Sequence, residues 1–144
     1  MYCLDASVIT NSFIEKEEHH QYSKELLSKI KRENIIVILP EITIPEVASA
    51  IARETKDSTL ALEFTQSLRM IENFVFIPVD KEISNLASKI AAERKLKGSD
   101  SIYIAVAYTT KAKLITLDED QKEKSKDLIQ ALTPFEELEK TNTI

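Results

Sequence analysis

Four acidic residues stand where carboxylates can do chemistry: Asp5, Glu46, Asp100 and Asp118. Asp5 closes the short apolar run Tyr2-Cys3-Leu4, and Asp118 closes Lys113-Leu114-Ile115-Thr116-Leu117. Asp100 sits in Gly98-Ser99-Asp100-Ser101, ahead of a strongly apolar stretch, and Glu46 sits in Pro45-Glu46-Val47. Several carboxylates within a few ångströms repel one another, and burial makes each charge costlier. The economical compensation is a hard divalent cation with oxygen ligands, Mg2+ or Mn2+, as one or two ions. Such a cation can activate a water and neutralise a phosphodiester during in-line attack. Each acid also has a plainer reading. Asp is a common N-cap, and Asp100 and Asp118 both precede helical stretches. Glu46 alone reads as a solvated helix residue. Asp5 resists that treatment, because a carboxylate straight after a buried strand needs a partner. The four together, in compatible places, favour a site.

Converging them requires a sheet with its strand ends on one edge. Tyr2–Leu4, Ile35–Leu39, Phe74–Val79, Lys113–Leu117 and, more weakly, Ile129–Leu132 are short apolar runs of the kind buried on both faces. Helical stripes fill the gaps. Ile83, Leu86, Ala87, Ile90 and Ala91 follow the amphipathic spacing; Tyr22, Leu26 and Ile30 make a second stripe, and Leu60, Phe64, Leu68 and Ile71 a third. Val47, Ala50, Ile51 and Glu54 continue a helix begun after Pro40. Residues 102–108 are apolar nearly all round, as in a buried helix. Thr133-Pro134-Phe135-Glu136 is a capping box with Pro at the first helical position. Strands alternating with helices imply a parallel sheet between helix layers, with ligands beyond the carboxyl ends of the strands. Asp5, Asp100 and Asp118 then converge, and Glu46 joins them if its helix packs beside the first strand.

The chain has 144 residues, 43% of them hydrophobic and 30% charged, which fits one domain over residues 1–144, with Lys140–Ile144 as a frayed end. One Gly rules out a glycine-rich dinucleotide loop or a P-loop. That residue, Gly98, is expected to end one helix and start the next. With 24 acidic and 19 basic side chains the net charge is −5, which argues against a simple basic nucleic-acid binder. A single cysteine, Cys3, excludes an internal disulfide and a thiolate zinc site, and a reducing cytoplasm is the expected home. The few residues before Asp5 leave no room for a signal-peptide core. The longest uncharged run, Ser101–Thr110, is far short of a membrane span.

With those residues in place, the chain resembles the PIN-domain nucleases, particularly the VapC-type toxins. Leu4-Asp5-Ala6-Ser7-Val8 resembles the family's opening motif, and Ile44-Pro45-Glu46-Val47-Ala48-Ser49-Ala50 the second. Gly98-Ser99-Asp100-Ser101-Ile102-Tyr103 onward is close to the third, with Ser99 a mild departure, and Leu114-Ile115-Thr116-Leu117-Asp118 is similar to the fourth. Leu132 to Leu138 resembles the usual ending. The resemblance implies a three-layer α/β/α fold with a central parallel five-stranded sheet and Mg2+- or Mn2+-dependent endoribonuclease activity. It makes Asp5, Asp100 and Asp118 metal ligands, with Glu46 binding a second metal or orienting the water. Asp120 is an additional ligand, and Ser7 and Thr116 hold the carboxylates. It further implies an RNA substrate, an antitoxin protein seated in an apolar groove between helices of the 41–72 region, and a homodimer.

Arg94, Lys95 and Lys97 precede Asp100 and can steer RNA phosphates, or simply complement a helix C-terminus. Arg53, two turns after Glu46, can contact a phosphate or pair with a carboxylate. His19 and His20 are adjacent, so they do not share a metal on a helix, and neither is expected to be a general base. Cys3, Tyr22 and Phe64 read as core, rather than as a reactive thiol or base-stacking platforms. Three competing classes stand beside the nuclease. A haloacid-dehalogenase-type phosphatase wants a second Asp at position 7, which is Ser. A receiver domain wants a phospho-acceptor Asp ending a central strand, and the nearest, Asp80, reads as an N-cap. A non-catalytic PIN-like binding module would bind metal without cleaving.

Overall fold

The computed structural model describes residues 1–142. Five strands, Tyr2–Leu4 (β1), Val37–Pro40 (β2), Phe74–Ile77 (β3), Lys113–Ile115 (β4) and Ala131–Leu132 (β5), form one parallel sheet in the order β3-β2-β1-β4-β5. The chain builds outward from β1 to β3, then crosses back to lay β4 on the other side of β1. The order therefore reverses at β1 and β4, which opens a crevice at their carboxyl ends.

Eight helices fill the connections: Ala6–Phe13 (α1), His20–Arg32 (α2), Thr43–Thr55 (α3), Ser58–Arg69 (α4), Lys81–Arg94 (α5), Gly98–Thr110 (α6), Glu119–Ser125 (α7) and Pro134–Asn142 (α8). Strand side chains alternate between faces. Tyr2 and Leu4 pack with Val8, Leu26, Val47, Ala61 and Leu138, from α1 to α4 and α8. Cys3 and Leu114 pack on the opposite face with Ile83 and Ile90 of α5 and with Tyr103–Ala107 of α6. The sheet is thus covered on both sides, which is why its strands read as uninterrupted apolar runs.

Several expectations need correction. Strands β2 to β5 are shorter than their apolar runs, whereas β1 matches its run. β4 ends at Ile115, so Asp118 lies three residues beyond it rather than directly after it. Pro40 does not stop the second strand before it but is its last residue, in register with Ile77, where a missing N–H is tolerated. Ile71 falls past the end of α4. Tyr22 is exposed, not core: it lies at the start of α2, against Phe135, while Leu26 and Ile30 carry the buried stripe. Lys140–Asn142 lie in the last turn of α8; Thr143 and Ile144 lie outside the described residues.

Gly98 is the first residue of α6 and has no positive φ. The left-handed residue between α5 and α6 is Lys95, with φ 56°. Lys56 and Lys111 end α3 and α6 in the same way. A chain with one glycine thus closes three helices on left-handed lysines, accepting a modest steric cost at each.

Candidate active site

Asp5 leaves β1 with its N–H bonded to the Ile115 carbonyl (2.9 Å), which ties it to the end of β4. Its carboxylate N-caps α1, accepting from the Ser7 N–H at 3.0 Å. The Gln121 amide reaches its other oxygen at 3.4 Å. Burial pushes the Asp5 carboxyl above the usual carboxylate range; the Ser7 and Gln121 donors oppose that, and the Asp118 charge adds to it.

Asp118 N-caps α7 through the Gln121 N–H, 3.0 Å away. Asp118 and Gln121 have the spacing of a capping box, in which the third helical side chain folds back onto the cap N–H. Here the Thr116 hydroxyl oxygen accepts that N–H instead, at 3.0 Å. Gln121 is released from the box and fully buried; its Nε2 bonds Asp5 and the Asp100 carbonyl (3.1 Å), and its Oε1 accepts from Thr116 at 2.6 Å. One amide therefore links three of the four predicted acidic segments. The Ser7 hydroxyl accepts from the Leu117 N–H at 3.4 Å, so Ser7 joins the Asp5 and Asp118 segments a second time.

Glu46 lies in the first turn of α3, and the Tyr103 hydroxyl donates to its Oε1 at 2.7 Å. Tyr103 comes from α6, is almost fully buried, and also meets the Thr43 hydroxyl at 3.0 Å. Burial, chiefly, raises the Glu46 carboxyl; Tyr103 lowers it and Asp5 raises it further. Asp100 is not a cap: it sits in the first turn of α6, after the cap residue Lys97. Its carboxyl is pushed up to about 6, first by burial, then by the charges of Asp5, Asp118 and Glu46, with Lys97 opposing. The field at Asp100 thus registers all the other three acids.

Among the described residues, none of these four carboxylates is in an ion pair. Nor are any three Asp, Glu, His or Cys side chains set closely enough to hold an ion as they stand. The oxygens share an edge and one another's fields without a closed chelate. All-oxygen donors, repelling one another and lacking a cation, fit a hard divalent ion.

The remaining sequence candidates divide. Asp120 pairs with Lys124 at 3.1 Å and is mostly exposed. Arg94 is occupied by Asp127, to which it bonds through both terminal nitrogens, and by the Lys124 carbonyl at 2.9 Å. Lys95 is exposed and receives the Lys124 ammonium on its carbonyl at 3.3 Å. Lys97 alone of the three acts on the acids. Arg53 is exposed and bonds Ser49 at 3.1 Å, not a carboxylate. The His20 ring meets the Asn11 carbonyl at 2.7 Å and His19 lies at the start of α2, both away from the four acids' hydrogen bonds. Cys3 is buried, its thiol raised by desolvation. Sequence reading missed Gln121 and Tyr103. The Asp118-to-Gln121 spacing signals only a cap, and the one hint for Tyr103 is a phenol in an otherwise apolar helix, where the hydroxyl needs a partner.

Among curated proteins, none matches the chain. Solved structures do. VapC20 from Mycobacterium tuberculosis, described as a Sarcin-Ricin loop cleaving toxin, aligns at TM-score 0.74 and 15% identity, covering 85% of this chain and 94% of that one. A toxin–antitoxin complex from Klebsiella pneumoniae aligns at 0.68 and 20% identity, covering 94% and 99%. FitAcB from Neisseria gonorrhoeae aligns at 0.72 and 18%, covering 94% and 99%. These likenesses establish the fold. The family model described as PIN domain matches residues 2–127, a span that holds all four acids and both amide and phenol that brace them, and the chain belongs to that family.

Proposed function

We propose that this protein is an Mg2+- or Mn2+-dependent endoribonuclease and the toxin of a toxin–antitoxin pair. The observation that carries the reading is the set of four unpaired carboxylates on one sheet edge, with Asp100 raised to about 6 by burial and the other three. Asp5, Asp100 and Asp118 would hold the ion. A bound divalent cation supplies charge neutralisation at the phosphodiester and acidity to water. Ser7 and Gln121 fix Asp5, Thr116 fixes the Asp118 backbone, and Gln121 locks Asp100's segment to both. Tyr103 holds Glu46 by Oε1, which leaves Oε2 to bind a second ion or to orient the attacking water and take its proton. Lys97 is the cation placed to meet a phosphate at this edge. Arg53, Arg94, Lys95 and Asp120 are left out of the mechanism.

The toxin assignment is supported by the printed identities of the similar structures. It is also supported by a groove of about 260 Å3, which lies between α1, α2 and the α4 region rather than within residues 41–72 and joins apolar Ile9, Phe13, Leu27 and Phe64 to Lys24 and Lys31, suited to an amphipathic antitoxin segment. Exposed Leu62 and Met70 on and beyond α4 offer apolar surface for a second copy. No helix among the described residues is long and apolar enough to cross a membrane. The test is purified protein on RNA with Mg2+ or Mn2+, beside Asp5→Asn and Asp100→Asn. Cleavage by the wild type alone is expected; equal cleavage by all three overturns the reading. Metal binding without cleavage by any of them would instead assign a non-catalytic module. Light scattering after size exclusion checks the homodimer, and a strict monomer at all concentrations overturns it.

A further inference from the structure

Three aromatic side chains are exposed among the described residues, Tyr22, Tyr108 and Phe135, and two of them face each other. Tyr22 and Phe135 are 41% and 46% exposed, with ring centroids 5.0 Å apart, edge to face. They stand beside a mostly apolar cavity of about 340 Å3 lined also by His19, Leu117, Glu119 and Pro134. Exposed aromatics cost apolar hydration, and here that cost is borne twice at one spot.

The place matters. Leu117 and Glu119 flank Asp118 in the chain, and Pro134 and Phe135 open α8 directly after β5. His19 precedes α2, whose carboxyl end leads down to the amino end of β2. The start of α2 therefore lies at the same sheet edge as the four acids. The cavity adjoins the acidic edge through Leu117, Asp118 and Glu119. It is held open by a local scaffold: Thr133 and Glu136 exchange capping bonds of 3.0 and 3.1 Å, and Lys122 bridges α7 to Glu136 at 2.8 Å. Phe135 sits inside that capping box, which fixes its backbone, and its ring meets Tyr22.

We infer that this cavity takes one nucleobase of the RNA substrate, stacked on one ring of the Tyr22–Phe135 pair and met by the edge of the other, next to the scissile phosphodiester. This rests on the nuclease reading above. A base supplies a flat apolar face for the rings and polar edges for the His19 imidazole and the Glu119 carboxylate. The cavity lining is mostly apolar and includes no Lys or Arg, and the neighbouring Lys122 is already shared between Glu119 at 3.4 Å and Glu136 at 2.8 Å, so the base rather than the phosphate is the moiety it admits. The polar edges also give the pocket a means of preferring one base over another.

Two measurements test it. First, Asp100→Asn is titrated with labelled six-nucleotide homopolymers of adenosine, cytidine, guanosine and uridine and with an abasic ribose-phosphate hexamer. Adding Tyr22→Ala or Phe135→Ala should weaken binding of at least one homopolymer roughly tenfold and leave the abasic oligomer unaffected. Tyr22→Phe should bind as the parent does. Second, in the active protein the same alanine changes should raise KM more than they lower kcat. Melting temperatures confirm that each variant is folded. Unchanged binding and KM in folded variants overturns the proposal while leaving the nuclease reading intact. Base-dependent binding lost with Tyr22→Ala, in a wild type that cleaves nothing, would sustain the pocket and overturn the nuclease reading. Loss of a partner polypeptide or of self-association with Tyr22→Ala, without change in RNA binding, would assign the cavity to a protein ligand and overturn the proposal.

Discussion

Glu137 and Asp5 are both buried carboxylates, 1% and 8% exposed, at opposite ends of the same strand, and the chain treats them in opposite ways. Glu137 meets the amino end of the sheet. The Tyr2 hydroxyl donates to it at 2.7 Å and the Lys113 ammonium lies at 3.1 Å, with Tyr2 and Lys113 in register on β1 and β4. Its charge is neutralised within the fold. Asp5, just past the carboxyl end of β1, receives only neutral donors and faces the charges of other acids. A buried acid that belongs to the scaffold comes with its cation. Asp5 comes with braces for its position and nothing for its charge, and that difference separates a binding site from a structural ion pair.

The largest expected effect breaks the comparison at Asp5. Asp5→Asn keeps the shape and removes the charge, so cleavage should fall by roughly a hundredfold or more. The scaffold should not suffer. In metal-free buffer Asp5→Asn should melt close to the wild-type temperature, because relief of the like-charge repulsion offsets the loss of one acceptor: the single amide oxygen can serve Ser7 or Gln121 but not both. Saturating Mn2+ should stabilise the wild type, by about 2.7 kcal/mol at a hundred times its Kd, and stabilise Asp5→Asn far less. An equal Mn2+ shift in both proteins would place the ion elsewhere.

At the other end the signs reverse. Lys113→Met leaves Glu137 buried with only Tyr2 as partner. Removing one member of a buried pair costs about 3–5 kcal/mol, and the partial exposure of Lys113 brings this to roughly 2 kcal/mol. The urea midpoint should drop accordingly, with cleavage per folded molecule unchanged. A loss of cleavage beyond the loss of folded protein would mean that the two ends are coupled.

A smaller effect sharpens the contrast through pH. Asp100 titrates near 6 in the folded protein against 3.8 ordinarily, so the folded state binds the proton more tightly than the unfolded one. Its stabilising contribution is present at low pH and is lost as pH rises through about 6. Asp5 and Glu46 are raised too and act in the same direction. Exposed, paired acids such as Glu41 and Asp127 are lowered by Arg69 and Arg94 and act oppositely, their stabilisation being lost only as pH falls through the lower acid range. Metal-free protein should therefore gain stability between pH 7 and 5, by on the order of 1 kcal/mol for half-buried Asp100 after allowing for solvent screening. Asp100→Asn should flatten that slope. A melting temperature that falls steadily from pH 7 to 5 would contradict this account.

The acids were legible because each carries a local mark. Asp5 and Asp118 follow apolar runs, Asp100 opens an apolar helix, and Glu46 heads an Ala-rich one. The parallel order was legible for the same reason, from runs without alternation. What escaped depends on partners far away in the chain. Gln121 is 116 residues from Asp5, and its diversion from a capping box hinges on Thr116 taking one N–H. Tyr103 reaches Glu46 across 57 residues. Arg94 looked free because Asp127, which occupies it, belongs to a helix end that only the fold brings near. Tyr22 shares the spacing of a buried stripe and lies in the same helix, but in its first turn, where it is left exposed while Leu26 and Ile30 are buried. Periodicity marks a face, not how far the cover extends.

The smallest effect uses one chemical change at both ends. Tyr2→Phe and Tyr103→Phe each delete a hydroxyl that donates to a carboxylate at 2.7 Å. Tyr2→Phe should cost about 1 kcal/mol of stability, and Tyr103→Phe roughly 2 kcal/mol, because it also takes a partner from the buried Thr43 hydroxyl. Their consequences for cleavage should differ. Glu137 without Tyr2 still has Lys113, so Tyr2→Phe should leave the rate per folded molecule unaltered. Glu46 without Tyr103 loses the one hydrogen bond that fixes its head group, and its free oxygen is no longer aimed. A misaimed carboxylate worth about 1 kcal/mol lowers the rate about fivefold. Equal rates for the two variants, measured under single turnover with saturating Mn2+, would mean that Tyr103 merely packs α6 and that Glu46 needs no brace. A rate defect confined to Tyr103→Phe would place the phenol in the working end of the sheet, because the same deletion at the scaffold end provides the control for lost packing.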